Sequence, residues 1–305
     1  FDERLDEAVE LNTIGPSRLL KFAKECGDAP MMHVSTCYVC GVRRGVVVED
    51  FSAPESARES LPRLKTGPFD LDGIVGAMVG EAEEIRLRFG VDTEACRREL
   101  IDAGMRWARS HGWNDTYTFT KWIGEQLLVR DRGNAPLVVF RPAIIESSYD
   151  EPLPGWIDGL RMADPIIVAY GRGKLAEFPA REDIPIDVIP VDYVANAMIA
   201  ALPMPRGSSP PLVPPAPVVF PSRGDGLTGA SLAVYQCGSS ERNPLLIGGL
   251  RRALERSFEQ RPMQGDDGKA IRPGPLRMIS QEEFLARWET KQRRVAAYRR
   301  WLSRL

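Results

Sequence analysis

The chain has 305 residues, with 40 Lys and Arg against 42 Asp and Glu and a formal net charge of -2. That balance excludes the broad basic field that holds nucleic acid through counterion release. With 43% hydrophobic residues there is material for a sizeable core, yet no apolar run reaches the roughly 18 residues that span a bilayer.

Five scattered cysteines contain a single CxxC, Cys37 to Cys40, with no His at zinc spacing, so no metal site is expected and the thiols read as reduced packing residues. The N-terminus, Phe1-Asp2-Glu3-Arg4, has no signal-peptide character. These features point to a cytoplasmic protein, with contact at a membrane periphery as its variant.

In chain order, Leu5, Ala8, Val9, Ile14, Leu19 and Phe22 recur at helical spacing and predict a helix over 4–24. Gly15-Pro16 marks a kink or restart within it, and Cys26-Gly27 closes it. The run from Met31 to Thr36 reads as a buried parallel strand that ends in two hydroxyls, Ser35 and Thr36, with His33 a satisfied core residue. Residues 51–72 have the composition of a surface excursion, and helices are predicted over 74–89 and 93–111. Asn114-Asp115-Thr116 offers caps for a further helix over 117–129.

Leu137 to Phe140 is a second buried strand, ended by Arg141-Pro142, so the strand, helix, strand order implies parallel crossovers. Residues 186–191 repeat the theme, with Asp192 as N-cap of a helix over 193–202. A strand over 232–236 and a helix opened by Asn243-Pro244 repeat it again. Between them, 203–226 holds eight prolines and reads as a linker or insertion. From Ser280 to Leu305 a basic amphipathic helix is expected, packed on the domain with a solvated face.

Tyr117 and Lys121 stand four residues apart, adjacent on one helix face and away from the core stripe Phe119, Ile123 and Leu127. A lysine one turn from a tyrosine stabilises the phenolate and brings the phenol toward proton transfer near neutrality. Two common residues at that spacing are weak evidence alone. The context strengthens them, because the carboxyl ends of parallel strands line the ligand crevice of a doubly wound sheet. With only His33 and His111 in the chain and no G-x-S-x-G turn, a Ser-His hydrolase is excluded, and Cys37 lacks a base to make it a nucleophile.

The stretches HVSTCYVCG from His33, YTFTKWIGEQLL from Tyr117, VVFRPAIIESSYDEPLPGWIDG from Val138, IDVIPVDYVANAM from Ile186 and VYQCGSSERNPL from Val234 resemble the fatty acyl-CoA reductases, within the extended short-chain dehydrogenases. The blocks cover most of residues 1–260 in the family's order. The resemblance implies an α/β, Rossmann-like doubly wound parallel sheet over 1–202, with elements of a smaller substrate lobe from about 146. A linker over 203–230 and a C-terminal lobe over 231–305 complete that division.

It further implies NADPH-dependent reduction of a long-chain fatty acyl-CoA, or acyl-carrier thioester, to aldehyde or alcohol. Thr36, with Ser35 as second choice, would hydrogen-bond the oxyanion while Tyr117 protonates it. Lys121 would hold the nicotinamide ribose, supported by Asn12, and the turn at Pro142, Ala143 and Ile144 would approach the carboxamide. Trp156 and Arg161 would border the acyl or CoA entrance.

One feature of the family does not occur: no glycine-rich turn stands at a strand-to-helix junction. The expectation is therefore that the family's first strands lie upstream of Phe1. An inactive remnant, a thioester-reductase module and a sugar-nucleotide epimerase are the alternatives, and the oligomeric state is left open.

Overall fold

In the computed structural model, the described residues are 3–43, 45–51, 70–160, 163–202, 232–288 and 290. The expected linker over 203–230, most of the excursion over 51–72, Arg161 and the C-terminal residues after Thr290 lie outside them. The chain divides into two compact units, Phe1–Ala143 with Tyr193–Cys237, and Ile144–Asp192 with Gly238–Leu305.

The first unit opens with one continuous helical segment in three parts: α1 (Leu5–Val9), a π-helical turn (Glu10–Ile14) and α2 (Gly15–Glu25). The expected kink is realised as this π turn, and the cause is local. Pro16 has no N–H, so the Asn12 carbonyl loses its i+4 donor, while the Gly15 N–H reaches back to the Glu10 carbonyl and widens the turn.

Three parallel strands follow the order β1 (Met31–Val34), β2 (Leu137–Pro142) and the strand Leu232–Cys237. His33 stands opposite Val139, which stands opposite Val234. All six residues of β2 are buried, as its unbroken apolar run requires of a central strand. Leu137, Val139 and Val234 pack with Leu20, Leu128 and Ala135 beneath the helices. Leu232–Cys237 is thus a strand of this sheet, whereas the sequence assigned everything from 231 to the C-terminal lobe. A strand of alternating small and apolar residues carries no mark of which sheet it will join.

Between β1 and β2 come α3 (Leu71–Phe89), α4 (Glu94–His111) and α5 (Thr116–Asp131). Each begins on a side-chain cap, Asp70, Thr93 and Asp115 respectively. Gly112, in the left-handed region at φ 96°, ends α4 and turns Trp113 into the core against Phe119 and Trp122. The Trp113 indole then donates to the Val39 carbonyl at 3.0 Å, which fixes the turn after Thr36.

In the second unit Ile144–Glu146 pairs in parallel with Val188–Pro190, and Glu177–Pro179 with Arg277–Ile279. The helix predicted to start after Asp192, at 193, begins two residues earlier, at Val191. Asp192 therefore lies inside the first turn, and its carboxylate accepts from the backbone N–H groups of Tyr149, Asp150 and Glu151 at 2.9, 2.9 and 3.1 Å. The helix predicted to open at Asn243-Pro244 starts later instead, at Ile247, after the two-residue strand Leu245–Leu246.

Candidate active site

Asp115 sets the site's geometry, because its carboxylate accepts from the Thr118 N–H at 2.8 Å and fixes where α5 starts. Phe119, Ile123 and Leu127 then turn into the core, and Tyr117 and Lys121 take the adjoining face as their spacing predicts. The Lys121 Nζ donates to the Val34 carbonyl at 3.1 Å and lies 5.9 Å from the centre of the Tyr117 ring. The ammonium therefore meets the carboxyl end of β1, which continues into Ser35 and Thr36, with the Tyr117 ring on its other side.

The two hydroxyls are held differently. Thr36 Oγ1 accepts from the Tyr38 N–H at 3.3 Å, capping the 3-10 turn Cys37–Cys40 and leaving its own hydrogen free to donate. Ser35 donates its N–H to the Phe140 carbonyl at 2.7 Å, while its Oγ is buried without a hydrogen-bond partner among the described residues. His33 Nε2 is likewise buried and unpartnered there, so this histidine is a core residue but not a satisfied one. Burial, then the nearby Lys121 charge, holds its pKa down to about 4, and the ring is neutral at physiological pH.

Tyr117 departs from the sequence expectation. Burial pushes the phenol up, and Glu3, Asp115 and Cys37 push it further, so the expected lowering by Lys121 does not prevail. A phenol held up in this way stays protonated, the form a proton donor requires. Burial also lowers Lys121, against the opposing pull of Glu3 and Glu125.

Asn12 sits in the π turn and donates its amide to Thr120 Oγ1 at 3.1 Å, next to Lys121 in sequence. Pro142, Ala143 and Ile144 do not form a turn: Pro142 ends β2 and Ile144 begins the next strand, with Ala143 alone between them. The N–H groups of Ala143 and Ile144 are already bonded to the Cys237 and Asp187 carbonyls, which leaves carbonyls for any lining role. In the second unit, Trp156 is half exposed on a loop closed by Ser148, which accepts the Trp156 N–H at 3.1 Å. Arg161 is outside the described residues.

Sequence reasoning missed Glu125 and Arg141 as a pair. The Arg141 guanidinium donates to both Glu125 oxygens, at 2.9 and 2.6 Å, with relative exposures of 4% and 0%. The available signal was the continuation of the Tyr117, Lys121 row by one more turn to an acidic residue on an otherwise buried helix.

The family model described as male sterility protein, an NAD-binding domain, matches residues 1–198. The chain belongs to this family. Curated relatives of this male sterility domain include fatty acyl-CoA reductase 1 of Arabidopsis thaliana, 37% identical over 89% of this chain and 50% of its own length. Probable fatty acyl-CoA reductase 5 of the same plant is 36% identical over 92% of this chain and 51% of its own. The alcohol-forming fatty acyl-CoA reductase of Simmondsia chinensis is 34% identical over 92% and 52%. The chain spans about half the length of these relatives.

Among solved structures, MoeE5 in complex with UDP-glucuronic acid and NAD aligns with a TM-score of 0.44 at 15% identity, over 89% of this chain and 62% of that one. Among the described residues of this male sterility domain, no helix is long and apolar enough to cross a membrane, and no group of three or more potential ligands is gathered for a metal ion.

Proposed function

We propose that the protein is an NADPH-dependent reductase of long-chain fatty acyl-CoA or acyl-carrier thioesters, with Tyr117 as proton donor. The observation that carries this reading is the Lys121 ammonium, which bonds the last carbonyl of β1 while lying over the Tyr117 ring, at the strand end that continues into Ser35 and Thr36. The names of the curated relatives supply the substrate class.

The residues at this strand end suit the nicotinamide half of a dinucleotide. The Lys121 ammonium, with donors to spare, stands at that end, the chain continues from it into Ser35 and Thr36, and the buried Ser35 Oγ lacks a partner among the described residues. Lys121 would hold the ribose and the carbonyls of Pro142 and Ala143 would line the carboxamide. When bound, the cofactor supplies the hydride that reduces the thioester carbon.

Tyr117 gives its phenolic proton to the carbonyl oxygen as charge develops there, and Thr36 donates a hydrogen bond to the same oxygen. Lys121 stabilises the phenolate left behind. Collapse of the thiohemiacetal then expels the CoA thiol and leaves an aldehyde, and reduction of the aldehyde through the same groups, with Tyr117 reprotonated and a second equivalent of NADPH consumed, yields the alcohol.

The test is NADPH consumption with palmitoyl-CoA by the natural full-length protein, with product analysis for aldehyde and alcohol. Tyr117→Phe should abolish turnover while the fold, read by circular dichroism, is kept. Undiminished turnover in that variant would remove Tyr117 from the mechanism.

A further inference from the structure

Tyr117, Lys121 and Glu125 occupy positions i, i+4 and i+8 of α5 and so form one row along the helix. The third member is the most enclosed of the row, at 0% exposure. Its carboxylate is held by the two-pronged guanidinium of Arg141, which itself sits one residue from the end of β2 with the Phe51 ring 5.5 Å away. One residue before it, Gly124 lets α5 close on the π turn, since a Cβ there would lie 2.1 Å from the Asn12 carbonyl.

A buried ion pair is weak evidence for stability, because desolvating two charges offsets most of their attraction. Its position is therefore the informative feature. The pair binds the helix that carries the phenol and ammonium to β2, the strand between β1 and Leu232–Cys237.

We infer that Glu125, clamped by Arg141, is a positioning residue for the Tyr117 and Lys121 pair: it locks α5 to the end of β2 and places a buried negative charge one turn below the Lys121 ammonium. This rests on the reading of Tyr117 and Lys121 as the proton-transfer pair. The titratable groups around Lys121 are Glu3 ahead of α1, His33 on β1, and Tyr117 and Glu125 on its own helix; those around Tyr117 are Glu3, Asp115 and Cys37. Of these, Glu3 and then Glu125 favour a charged Lys121, and Glu125 is the buried one and stands on the lysine's own helix.

Neutralising Glu125 removes that support. Lys121 and Tyr117 both lose protons more readily, and the two effects move the alkaline limb of the rate profile in the same direction, toward lower pH. The experiment measures kcat/KM for palmitoyl-CoA against pH in the natural full-length protein and in Glu125→Asp, Glu125→Gln and the double variant Glu125→Gln with Arg141→Gln. The double variant leaves no unpaired buried charge and guards against a single variant that fails to fold.

Glu125→Asp keeps the charge and should keep the wild-type limb even if it melts earlier. Glu125→Gln should show the limb lowered by about one pH unit, and the double variant, which also removes the opposing Arg141 charge, a smaller lowering. A folded Glu125→Gln with the wild-type limb overturns the inference, as does a double variant whose limb rises or an equal shift in Glu125→Asp. Tyr117→Phe separates the two claims: if it is inactive while the Glu125 variants keep the wild-type limb, the positioning role fails and the proposed function stands.

Discussion

Gly124→Ala is expected to destabilise the protein, against the ordinary preference of helices. In a helix interior, alanine is favoured over glycine by about 0.5–1 kcal/mol because glycine loses more backbone freedom. At Gly124 the added Cβ would stand 2.1 Å from the Asn12 carbonyl oxygen and 3.3 Å from its carbon. Ordinary nonbonded contact needs about 3.5 Å, so the approach is short by well over an ångström. The obstacle is backbone, and that backbone is the π turn, which cannot rotate away as a side chain would.

The helix must therefore shift, at a cost of about 1–3 kcal/mol for overpacking. That outweighs the gain in propensity and should lower the melting temperature by about 2–8 °C. Gly76 provides the control: it lies within α3, exposed, with nothing within 4 Å of its built Cβ. Gly76→Ala should stabilise by about 0.5–1 kcal/mol. Differential scanning calorimetry of the two variants against the parent decides the matter. If Gly124→Ala melts at or above the parent temperature, close packing of α5 on the π turn is not what the glycine serves.

The two hydroxyls at the end of β1 should separate by function. Thr36→Val removes the proposed oxyanion donor and the cap on Tyr38 and should reduce kcat by about 10² to 10³, whereas Ser35→Ala removes a buried, unpartnered oxygen and should leave stability unchanged or slightly raised. Lys121→Met should raise the KM for NADPH and lower kcat; wild-type kinetics in that variant would exclude Lys121 from the site. Because burial holds Lys121 below its ordinary value and the phenol above its own, the parent's alkaline limb should be set by the ammonium and should fall below the ordinary lysine value.

Asp192 gives a stability prediction with a fixed sign. Burial raises its carboxyl, but three backbone N–H bonds outweigh that and hold it at about 2, below the ordinary 3.8. Its contribution is complete above the unfolded value and disappears as pH falls through the folded one. Chemical unfolding across pH 2 to 5 should therefore show a shallower acid loss in Asp192→Asn than in the parent; parallel curves would show that the carboxylate is not held by those amides.

Much of the candidate site was legible in the residues. The Tyr117 and Lys121 spacing, the core stripe of Phe119, Ile123 and Leu127, and the strand ending in Ser35-Thr36 each follow from a local period or cap, and local rules need no tertiary partner. The misreadings share one cause, a nonlocal competitor. Asp192 looked like a helix cap, but it serves three amides of the loop at 149–151. The resemblance implied a turn at Pro142 to Ile144, but Pro142 pairs with Cys237 and Ile144 with Val188, so only Ala143 stands between two strands. Lys121 looked set to lower the phenol of Tyr117, but burial and the carboxylates of Glu3 and Asp115 prevail.

By itself the sequence determined the parallel α/β class, the helix faces and the family, since periodicity and short motifs are written in consecutive residues. Only the tertiary structure decided that Leu232–Cys237 completes the central sheet, that Lys121 bonds the end of β1, and that Arg141 closes on Glu125. Those outcomes depend on which buried polar groups find one another once water is excluded. A hydrogen bond between residues 16 or 87 positions apart leaves no period in the chain that forms it.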